Sequence, residues 1–271
     1  MSESNAALVT ITPEEAARIL ELENVNNRNI RKSHVERLAG AMRDGHWIVN
    51  GETVIYNDNY LLDGQHRLAA CVLAGVPFTT WVVSNVPSDA MPSIDKGIAR
   101  TAGDTLSWAG YKNGNQASAI ARRCHALNLG KNLRDPATFS RLDDFVLLDF
   151  MKANAEVIDL AIRLAYPVSY AVGLSRTAWG VPIAWISLAG NDEHVIEQFF
   201  SDVELGAGLL KGDPRWALRE WAGKAARDRR KLRNDESLIA VVKAWNAWLQ
   251  GDTVKILRVL PTEALPEVVV A

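Results

Sequence analysis

The stretch "LLDGQHRLAAC", residues 61 to 71, places an acid, a glycine, an imidazole and a guanidinium between two apolar runs. The leading apolar pair is typical of the end of a strand. The apolar spacing from Leu68 onward predicts a helix, so Asp63 and Gly64 form a strand-to-helix turn. The N-terminus of a helix exposes backbone N–H groups and attracts phosphate, and glycine lets the backbone approach a ligand closely. The turn therefore predicts a phosphate-binding site.

The polar side chains of this turn have distinct expected roles. Arg67 could clamp phosphate oxygens through two guanidinium N–H groups, and His66 could add a hydrogen bond. Asp63 would repel phosphate unless it holds Mg²⁺ or accepts a proton from an attacking hydroxyl, so it is the predicted metal ligand and catalytic base. Glu52, where the preceding strand begins, is the second candidate for the base. The alternative is structural: Asp63 caps the helix, Gly64 makes the turn, and the imidazole and guanidinium face water or pair with acids.

Two capped helices precede the turn. Thr12 is the predicted N-cap of the first, with Glu15 completing a capping box. Ser33 and Glu36 predict the same arrangement for the second helix, which is expected to end at Gly45. These helices would stand beside the strand and turn that carry the candidate site.

The remaining elements define an α+β fold in two domains. Residues 53 to 62 predict a hairpin that runs into the turn, and a further strand follows Pro77. After about residue 100 the apolar spacing is helical. We expect an N-terminal α+β domain, residues 1–100, and a mainly α-helical domain, residues 101–271.

Composition limits the class of protein. The 271 residues are 48% hydrophobic and 23% charged, so the chain can bury a sizeable core. No apolar run approaches the roughly 20 residues of a membrane span, and the first residues lack the pattern of a signal peptide. We expect a cytoplasmic protein that does not contact membranes. Cys71 and Cys124 lie in apolar helical patterns, which favours buried thiols.

The net charge of −2 hides a basic segment. Residues 211–233 hold nine basic and three acidic residues, a local charge of +6. Its run "KAARDRRKLR" predicts a DNA-contacting helix, although such runs are usually solvated faces. The predicted DNA contacts are Arg227, Arg229, Arg230 and Arg233. Arg100, in "DKGIAR", is a further candidate for phosphate or nucleic-acid contact.

The turn sequence "DGQHRLAA" behind a two-strand lead-in resembles the ParB/sulfiredoxin-like superfamily, whose matching turn binds nucleotide phosphates. The longer stretch from "NVNNRNIRKSHVERLAGAM" to "FTTWVV", and later "IDKGIARTAGDTLSWAGYKN" and "FFSDVELGAGL", are similar to phage and prophage ParB-like proteins. The resemblance implies a ParB/sulfiredoxin-like fold for the N-terminal domain. It also implies nucleotide contacts at the positions that match the turn and at the arginine of the first motif: Arg28, Gly64, Gln65, His66 and Arg67.

The superfamily includes CTP-operated DNA clamps, ATP-dependent sulfinic acid repair enzymes, small-molecule kinases and proposed nucleases. Gln65 stands where the repair enzymes carry their catalytic cysteine, which disfavours sulfur repair. The clamps carry a Gly-Glu-Arg-Arg turn, whereas "DGQHR" is closer to the acid, glycine, two histidines and arginine of the kinases. Fold alone does not choose among these activities.

The expected function is therefore that of a ParB-like protein that binds an NTP (ATP or CTP) and Mg²⁺ and acts on or beside DNA, by phosphotransfer or NTP hydrolysis. The alternative is a non-catalytic DNA-binding or partner-binding module, and a ParB-like nuclease ranks third. The sequence leaves open the nucleotide, the acceptor and whether the chain forms a homo-oligomer.

Overall fold

In the computed structural model the chain divides into two compact units, Met1–Ala99 and Arg100–Ala271. The structure describes residues 4–24, 29–57, 59–87, 90, 94, 101–135, 138, 142–233 and 235–271. Within these ranges the fold class is α+β, as predicted, with ten helices and one four-stranded sheet. The domain boundary expected at residue 100 lies one residue from this division.

The first unit combines a small mixed sheet with three helices. Its elements are β1 (Asn5–Ile11), α1 (Pro13–Leu22), α2 (Lys32–Arg43), β2 (Thr53–Tyr56), β3 (Leu61–Asp63), α3 (Gln65–Ala74) and β4 (Phe78–Ser84). The strand order is β1-β4-β2-β3. β4 pairs antiparallel with β1 and parallel with β2, and β2 pairs antiparallel with β3, which confirms the predicted hairpin.

The start of α1 follows the sequence pattern. Thr12 Oγ1 accepts a hydrogen bond from the Glu15 N–H at 3.2 Å, and Glu15 Oε2 accepts one from the Thr12 N–H at 3.0 Å. The predicted capping box is therefore confirmed. It fixes the direction in which the chain leaves β1.

The start of α2 differs from the prediction. The N-cap is Arg31, whose carbonyl accepts the N–H groups of His34 and Val35 at 3.0 and 3.1 Å, and it makes no side-chain cap bond. Ser33 already lies inside the first turn, so its predicted pairing with Glu36 as a capping box is wrong. The cause is a contact distant in sequence, because the Arg31 N–H donates to a side chain of the β3–α3 turn.

The core of the first unit packs the three helices against the sheet. Ile11, Val54, Leu61, Leu68 and Phe78 are among its buried side chains. The Cys71 thiol is also buried there, as predicted, with Sγ 3.3 Å from the Val76 carbonyl oxygen. The core thus includes residues of both strands that lead into the candidate turn.

The second unit is built from seven helices in its described residues. They are α4 (Ala102–Trp108), α5 (Gly114–Asn128), α6 (Asp144–Val172), α7 (Arg176–Leu188), α8 (Glu193–Leu205), α9 (Pro214–Arg227) and α10 (Glu236–Leu249). Fully buried aromatic side chains lie in its core, including Trp179, Phe199, Phe200 and Trp245. Cys124 is buried in the same cluster.

The basic run does not form one helix. α9 ends at Arg227 with Asp228 as its C-cap, and Arg229 has a left-handed backbone (φ 48°) with its N–H bonded to the Ala226 carbonyl at 3.1 Å. A left-handed residue cannot continue a right-handed helix. The prediction of a DNA-contacting helix across "KAARDRRKLR" is therefore wrong in its secondary structure, since Arg229, Arg230 and Arg233 follow the helix.

The longest helix, α6, has 29 residues and leaves helical geometry at Asn154 (φ −132°, ψ 21°). The Asn154 Nδ2 donates to the Phe150 carbonyl at 2.8 Å, which accompanies the kink. Across the described ranges, none of the helices combines the length and the apolar character that crossing a bilayer requires.

Candidate functional site

The β3–α3 turn depends on Gly64. Its φ of 109° lies in a region that favours glycine, and a Cβ at this position would stand 3.0 Å from Val54 Cγ2 and 3.2 Å from Val54 Cα. The turn therefore packs directly on β2. This contact places the N-terminal end of α3 beside the residues at the start of β2.

Arg67 brings the two predicted catalytic acids together. Its Nη1 donates to Glu52 Oε2, and its Nη2 donates to Asp63 Oδ2 at 2.9 Å. The same Nη2 donates to the Thr53 carbonyl. The Arg67 side chain is 14% exposed, whereas those of Asp63 and Glu52 are 25% and 52% exposed. Carboxylates that lie eleven positions apart in sequence thus share one guanidinium at the edge of the sheet.

The arrangement leaves polar atoms that could take a ligand. Each carboxylate uses one oxygen on Arg67, and among the described residues Glu52 Oε1 and Asp63 Oδ1 make no hydrogen bond. Arg67 Nε is buried and has no hydrogen-bond partner in the same ranges. Because an unmade buried hydrogen bond costs about 1–3 kcal/mol, this donor favours an acceptor from outside the chain. No group of three or more His, Cys, Asp or Glu residues in the described parts of the chain is placed to hold a metal ion.

Asp63 is not the helix cap of the structural alternative. The N-cap is Gly64, with no side-chain cap bond, and the Asp63 carboxylate instead binds Arg67. Arg67 does pair with acids, as that alternative proposed. One part of the structural alternative, the cap at Asp63, is therefore wrong, and another part, the pairing of Arg67 with acids, is confirmed.

Gln65 and His66 link the turn to its neighbours. Gln65 is 4% exposed, and its Oε1 accepts a hydrogen bond from Asn24 Nδ2 at 3.3 Å. His66 is 8% exposed, and its Nε2 accepts the Arg31 N–H at 3.0 Å, so this nitrogen carries no proton. The His34 ring packs edge-on against His66 at 5.1 Å between centroids. The sequence did not indicate that Arg31 and His34 would join the turn.

Two of the predicted site residues, Arg28 and Arg100, lie outside the residues that the structure describes. Their predicted contacts with nucleotide and nucleic acid stay predictions.

The second unit carries the remaining predicted basic residues. Arg230 Nη1 lies 2.8 Å from Glu236 Oε1, and Arg233 Nε lies 3.3 Å from Asp235 Oδ1. Arg227 and Arg229 are exposed and make no ion pair with the described residues. Half of the predicted DNA-contacting set is thus already paired with carboxylates.

Three of these arginines also line a cavity of about 510 Å³, together with Arg123. Arg123, which lies within α5, was not among the residues predicted from the sequence. The available signal was an arginine pair, residues 122 and 123, set directly before the buried Cys124 in an otherwise apolar helical pattern.

Comparisons of the chain with protein-family models, with curated proteins and with solved structures found no match.

Proposed function

We propose that the first unit binds the phosphates of a nucleoside triphosphate, ATP or CTP, at the β3–α3 turn, and that Glu52 and Asp63 divide the roles of Mg²⁺ ligand and proton acceptor in phosphotransfer or NTP hydrolysis. One observation carries this proposal: both carboxylates converge on the Arg67 guanidinium beside the N-terminal end of α3. The chemistry is the one that the turn's resemblance to ParB/sulfiredoxin-like proteins implies.

The charges and donors around Arg67 suit a magnesium–nucleotide complex. Arg67 offsets one of the two negative charges, and one oxygen of each carboxylate makes no bond within the described residues. Mg²⁺ is usually held by one or two carboxylates together with substrate phosphates, so a dedicated cluster of protein ligands is not required. The buried Arg67 Nε–H is a donor for a phosphate oxygen.

Each residue of the turn would then have a separate role in the reaction. Bound Mg²⁺ would draw negative charge from the phosphate oxygens. The oxygen of a water or an acceptor hydroxyl forms a bond to the terminal phosphorus, the bond to the bridging oxygen breaks, and the nucleoside diphosphate leaves. The proton of the attacking group passes to the Asp63 carboxylate, which is more enclosed than Glu52. Gly64 keeps side-chain atoms away from the approaching phosphate.

Incubation of the full chain with each labelled NTP and Mg²⁺, with and without DNA, tests the proposal. We expect turnover that collapses in Asp63→Asn and falls in Glu52→Gln, while Glu36→Gln, an exposed acid of the same unit, behaves as the parent. Circular dichroism and a melting curve establish that the variants fold. Absence of both NTP binding and turnover in the parent, or equal turnover in Asp63→Asn, would contradict the proposal.

The second candidate is a non-catalytic DNA-binding or partner-binding module. It is favoured by the exposed Arg227 and Arg229, which have no carboxylate partner within the described chain. This module would bind duplex DNA and leave every NTP intact. Incubation of plasmid DNA with the protein and Mg²⁺ tests the third candidate, a nuclease, through nicking of the plasmid.

A further inference from the structure

Two tyrosines near the C-terminal end of α6 face solvent. Tyr170 is 91% exposed and Tyr166 is 55% exposed. Residues four positions apart are neighbours on one face of a helix, so the two rings belong to one surface. A single exposed apolar residue is common on a protein, but a tyrosine ring that lies almost entirely in water contributes nothing to the core. The Tyr170 ring in particular is available to a ligand.

Arg176 stands over the other ring. Its guanidinium carbon lies 4.3 Å from the centroid of the Tyr166 ring. The arginine is exposed, and it forms no ion pair within the described part of the chain. Arg176 is also the first residue of α7, where positive charge is unfavourable because it meets the positive end of the helix dipole. Helix stability therefore does not account for an arginine at this position.

The end of α9 packs beside the same end of α6. A Cβ at Gly173 would lie 2.6 Å from Ala226 Cβ, and a Cβ at Gly223 would lie 3.9 Å from the Val172 carbonyl oxygen. The first distance is too short for a side chain at residue 173, so the two helices approach each other through a glycine. The last turn of α9 therefore lies beside the last turn of α6, which carries Tyr170.

The charge where these helix ends meet is positive. Residues 224–229 hold three basic residues and one acidic residue. Arg227 and Arg229 are exposed, and neither forms an ion pair with the residues that the structure describes. Arg229 lines the same cavity as Ser175, so the segment after α9 also lies close to the start of α7, where Arg176 stands. Three arginines without a carboxylate partner thus lie on the elements around the tyrosines.

Acidic side chains border this surface on the side of α8. The sequence from residue 160 to residue 191 contains no acidic residue. One turn before Tyr166, however, Arg163 binds both Glu193 and Glu197 of α8, at 2.6 Å each. One guanidinium offsets only one of these two negative charges. An anionic ligand that lies on the tyrosines is therefore expected to extend toward α9 and away from α8.

Exposed aromatic rings beside unpaired arginines are the groups that proteins use for single-stranded nucleic acid. The rings stack with unpaired bases, and the guanidinium groups bind the phosphates of the backbone. A base inside a duplex is already stacked on both faces, so it cannot lie on the Tyr170 ring. A duplex would contact the arginines alone.

We infer that the surface formed by Tyr166, Tyr170, Arg176, Arg227 and Arg229 binds single-stranded nucleic acid, with bases on the tyrosines and phosphates on the arginines. The inference is independent of the nucleotide site at the β3–α3 turn, which belongs to the other unit. It also differs from the duplex binding of the second candidate function, which requires no aromatic ring.

The test compares a fluorescent oligothymidylate of about twelve nucleotides with a duplex of the same length, by anisotropy with the full chain. We expect Tyr170→Leu to weaken single-strand binding about fivefold to a hundredfold, the loss expected of one base stack, and to leave duplex affinity unchanged. Tyr170→Phe keeps the ring and should bind as the parent does. Because Tyr170 is 91% exposed, both variants should fold, which a melting curve checks.

Trp108→Leu is the matched control. Trp108 is 82% exposed and ends α4, which lies beside the other end of α6 through the bond from Thr105 to Asp144 at 3.0 Å. This variant should keep both affinities. Arg176→Gln should weaken single-strand binding and make its dependence on salt shallower, because one phosphate contact is lost. Arg67→Ala should leave single-strand binding unchanged, so failure of the proposed nucleotide site and failure of this surface are distinguishable.

Two results would overturn the inference directly. One is equal affinity of the parent for the single strand and the duplex, and the other is single-strand binding by Tyr170→Leu that is as tight as that of Tyr170→Phe. Sedimentation velocity tests a second copy of the chain as the occupant. A parent dimer that Tyr170→Leu dissociates, without any binding of the single strand, would also overturn the inference. An oligouridylate of the same length shows whether the surface prefers RNA or DNA, and binding of neither strand contradicts it.

Discussion

The guanidinium of Arg67 has two roles that substitution can separate. It is a phosphate donor in the proposed function, and it stands between two carboxylates in the observed structure. Arg67→Ala removes the donor and leaves Glu52 and Asp63 without their cation. We expect NTP affinity to fall about tenfold to a hundredfold, measured by calorimetric titration with ATP, CTP and GTP. Arg67→Lys keeps the charge but not the fork, so it should recover only part of the loss.

The control for this measurement is Arg18→Ala, which removes an exposed arginine from α1 of the same unit. A melting curve separates loss of binding from loss of fold. If folded Arg67→Ala binds every nucleotide as tightly as the parent, the Arg67 contacts serve only to lock the turn onto β2.

The two cysteines should resist alkylation in the native chain. Burial is the main cause that raises the pKa of Cys71 to about 11 and that of Cys124 to about 12. Only the thiolate reacts, and its fraction falls tenfold for each pKa unit. We expect iodoacetamide at pH 8 to modify the native protein at least about a hundredfold more slowly than the urea-unfolded chain, followed by mass spectrometry. Equal rates in the two states would show that the thiols are not buried.

The elements differ in how far the sequence predicts them. α1 was predictable because its cap, Thr12 with Glu15, is local to its first turn. The start of α2 was not, because the Arg31 N–H bonds to His66, 35 residues further along the chain. The end of α9 was missed because a run of positive charge does not report the left-handed backbone at Arg229.

The candidate site was predictable only in part for the same reason. The residue types of the turn indicate phosphate or metal chemistry, and Glu52 and Asp63 were both candidates. Their convergence depends on the pairing of β2 with β3 and on the direction that the Arg67 side chain takes. Neither is encoded in a short window of sequence. The arginine-lined cavity was harder still to predict from the sequence, because the residues that line it lie up to more than a hundred positions apart.

The turn that joins β3 to α3 should not tolerate a side chain at Gly64. Gly64→Ala combines a φ of 109° with a Cβ 3.0 Å from Val54 Cγ2, so we expect a loss of about 2–4 kcal/mol in the free energy of unfolding. Gly75→Ala is the matched control, because Gly75 ends the same helix at φ 70° with open space around its Cβ position. There we expect only about 1 kcal/mol, from backbone strain alone. Denaturant unfolding measures both, and equal losses would contradict the close contact with β2.

The start of α9 should make stability depend on pH. Asp213 caps the helix and binds the Arg215 guanidinium at 2.7 and 3.0 Å, and these bonds lower the pKa of Asp213 below its usual 3.8. A carboxyl whose pKa is lower in the folded state stabilises the fold above its unfolded pKa, and that stabilisation is lost as pH falls through the folded value. Asparagine caps about as well as aspartate, so Asp213→Asn removes mainly the ion pair.

We therefore expect Asp213→Asn to be less stable than the parent by about 1–2 kcal/mol at pH 7, with the difference shrinking below about pH 4. Denaturant unfolding of both proteins at several pH values measures this. Asp192→Asn is the control, since Asp192 caps α8 through the His194 N–H and has no arginine partner in the described residues. A difference that grows toward acid pH would contradict the assignment.

At the scale of the whole molecule, charge is distributed unevenly. The chain has a net charge of −2, yet residues 211–233 carry a local +6. Within this segment Arg230 and Arg233 form ion pairs with buried acids, whereas Arg227 and Arg229 form none with the residues that the structure describes. Any weak attraction for duplex DNA should therefore depend mainly on the second pair. Reversal at Arg230 would also leave Glu236 buried without its partner, so it cannot isolate DNA contact from stability.

The charge reversals Arg227→Glu and Arg229→Glu together should remove that attraction without unfolding the chain. Each phosphate contact releases counterions, so parent binding through two or three contacts should fall about ten- to fortyfold between 50 and 200 mM salt. In the double variant we expect weaker binding and a shallower salt slope, measured by fluorescence anisotropy with unrelated duplexes. Lys112→Glu with Lys131→Glu makes the same change in net charge at other exposed positions of the same unit and should leave the slope near that of the parent. Parent binding that is insensitive to salt, or equal losses in both double variants, would show that these two arginines do not form a DNA-contacting surface.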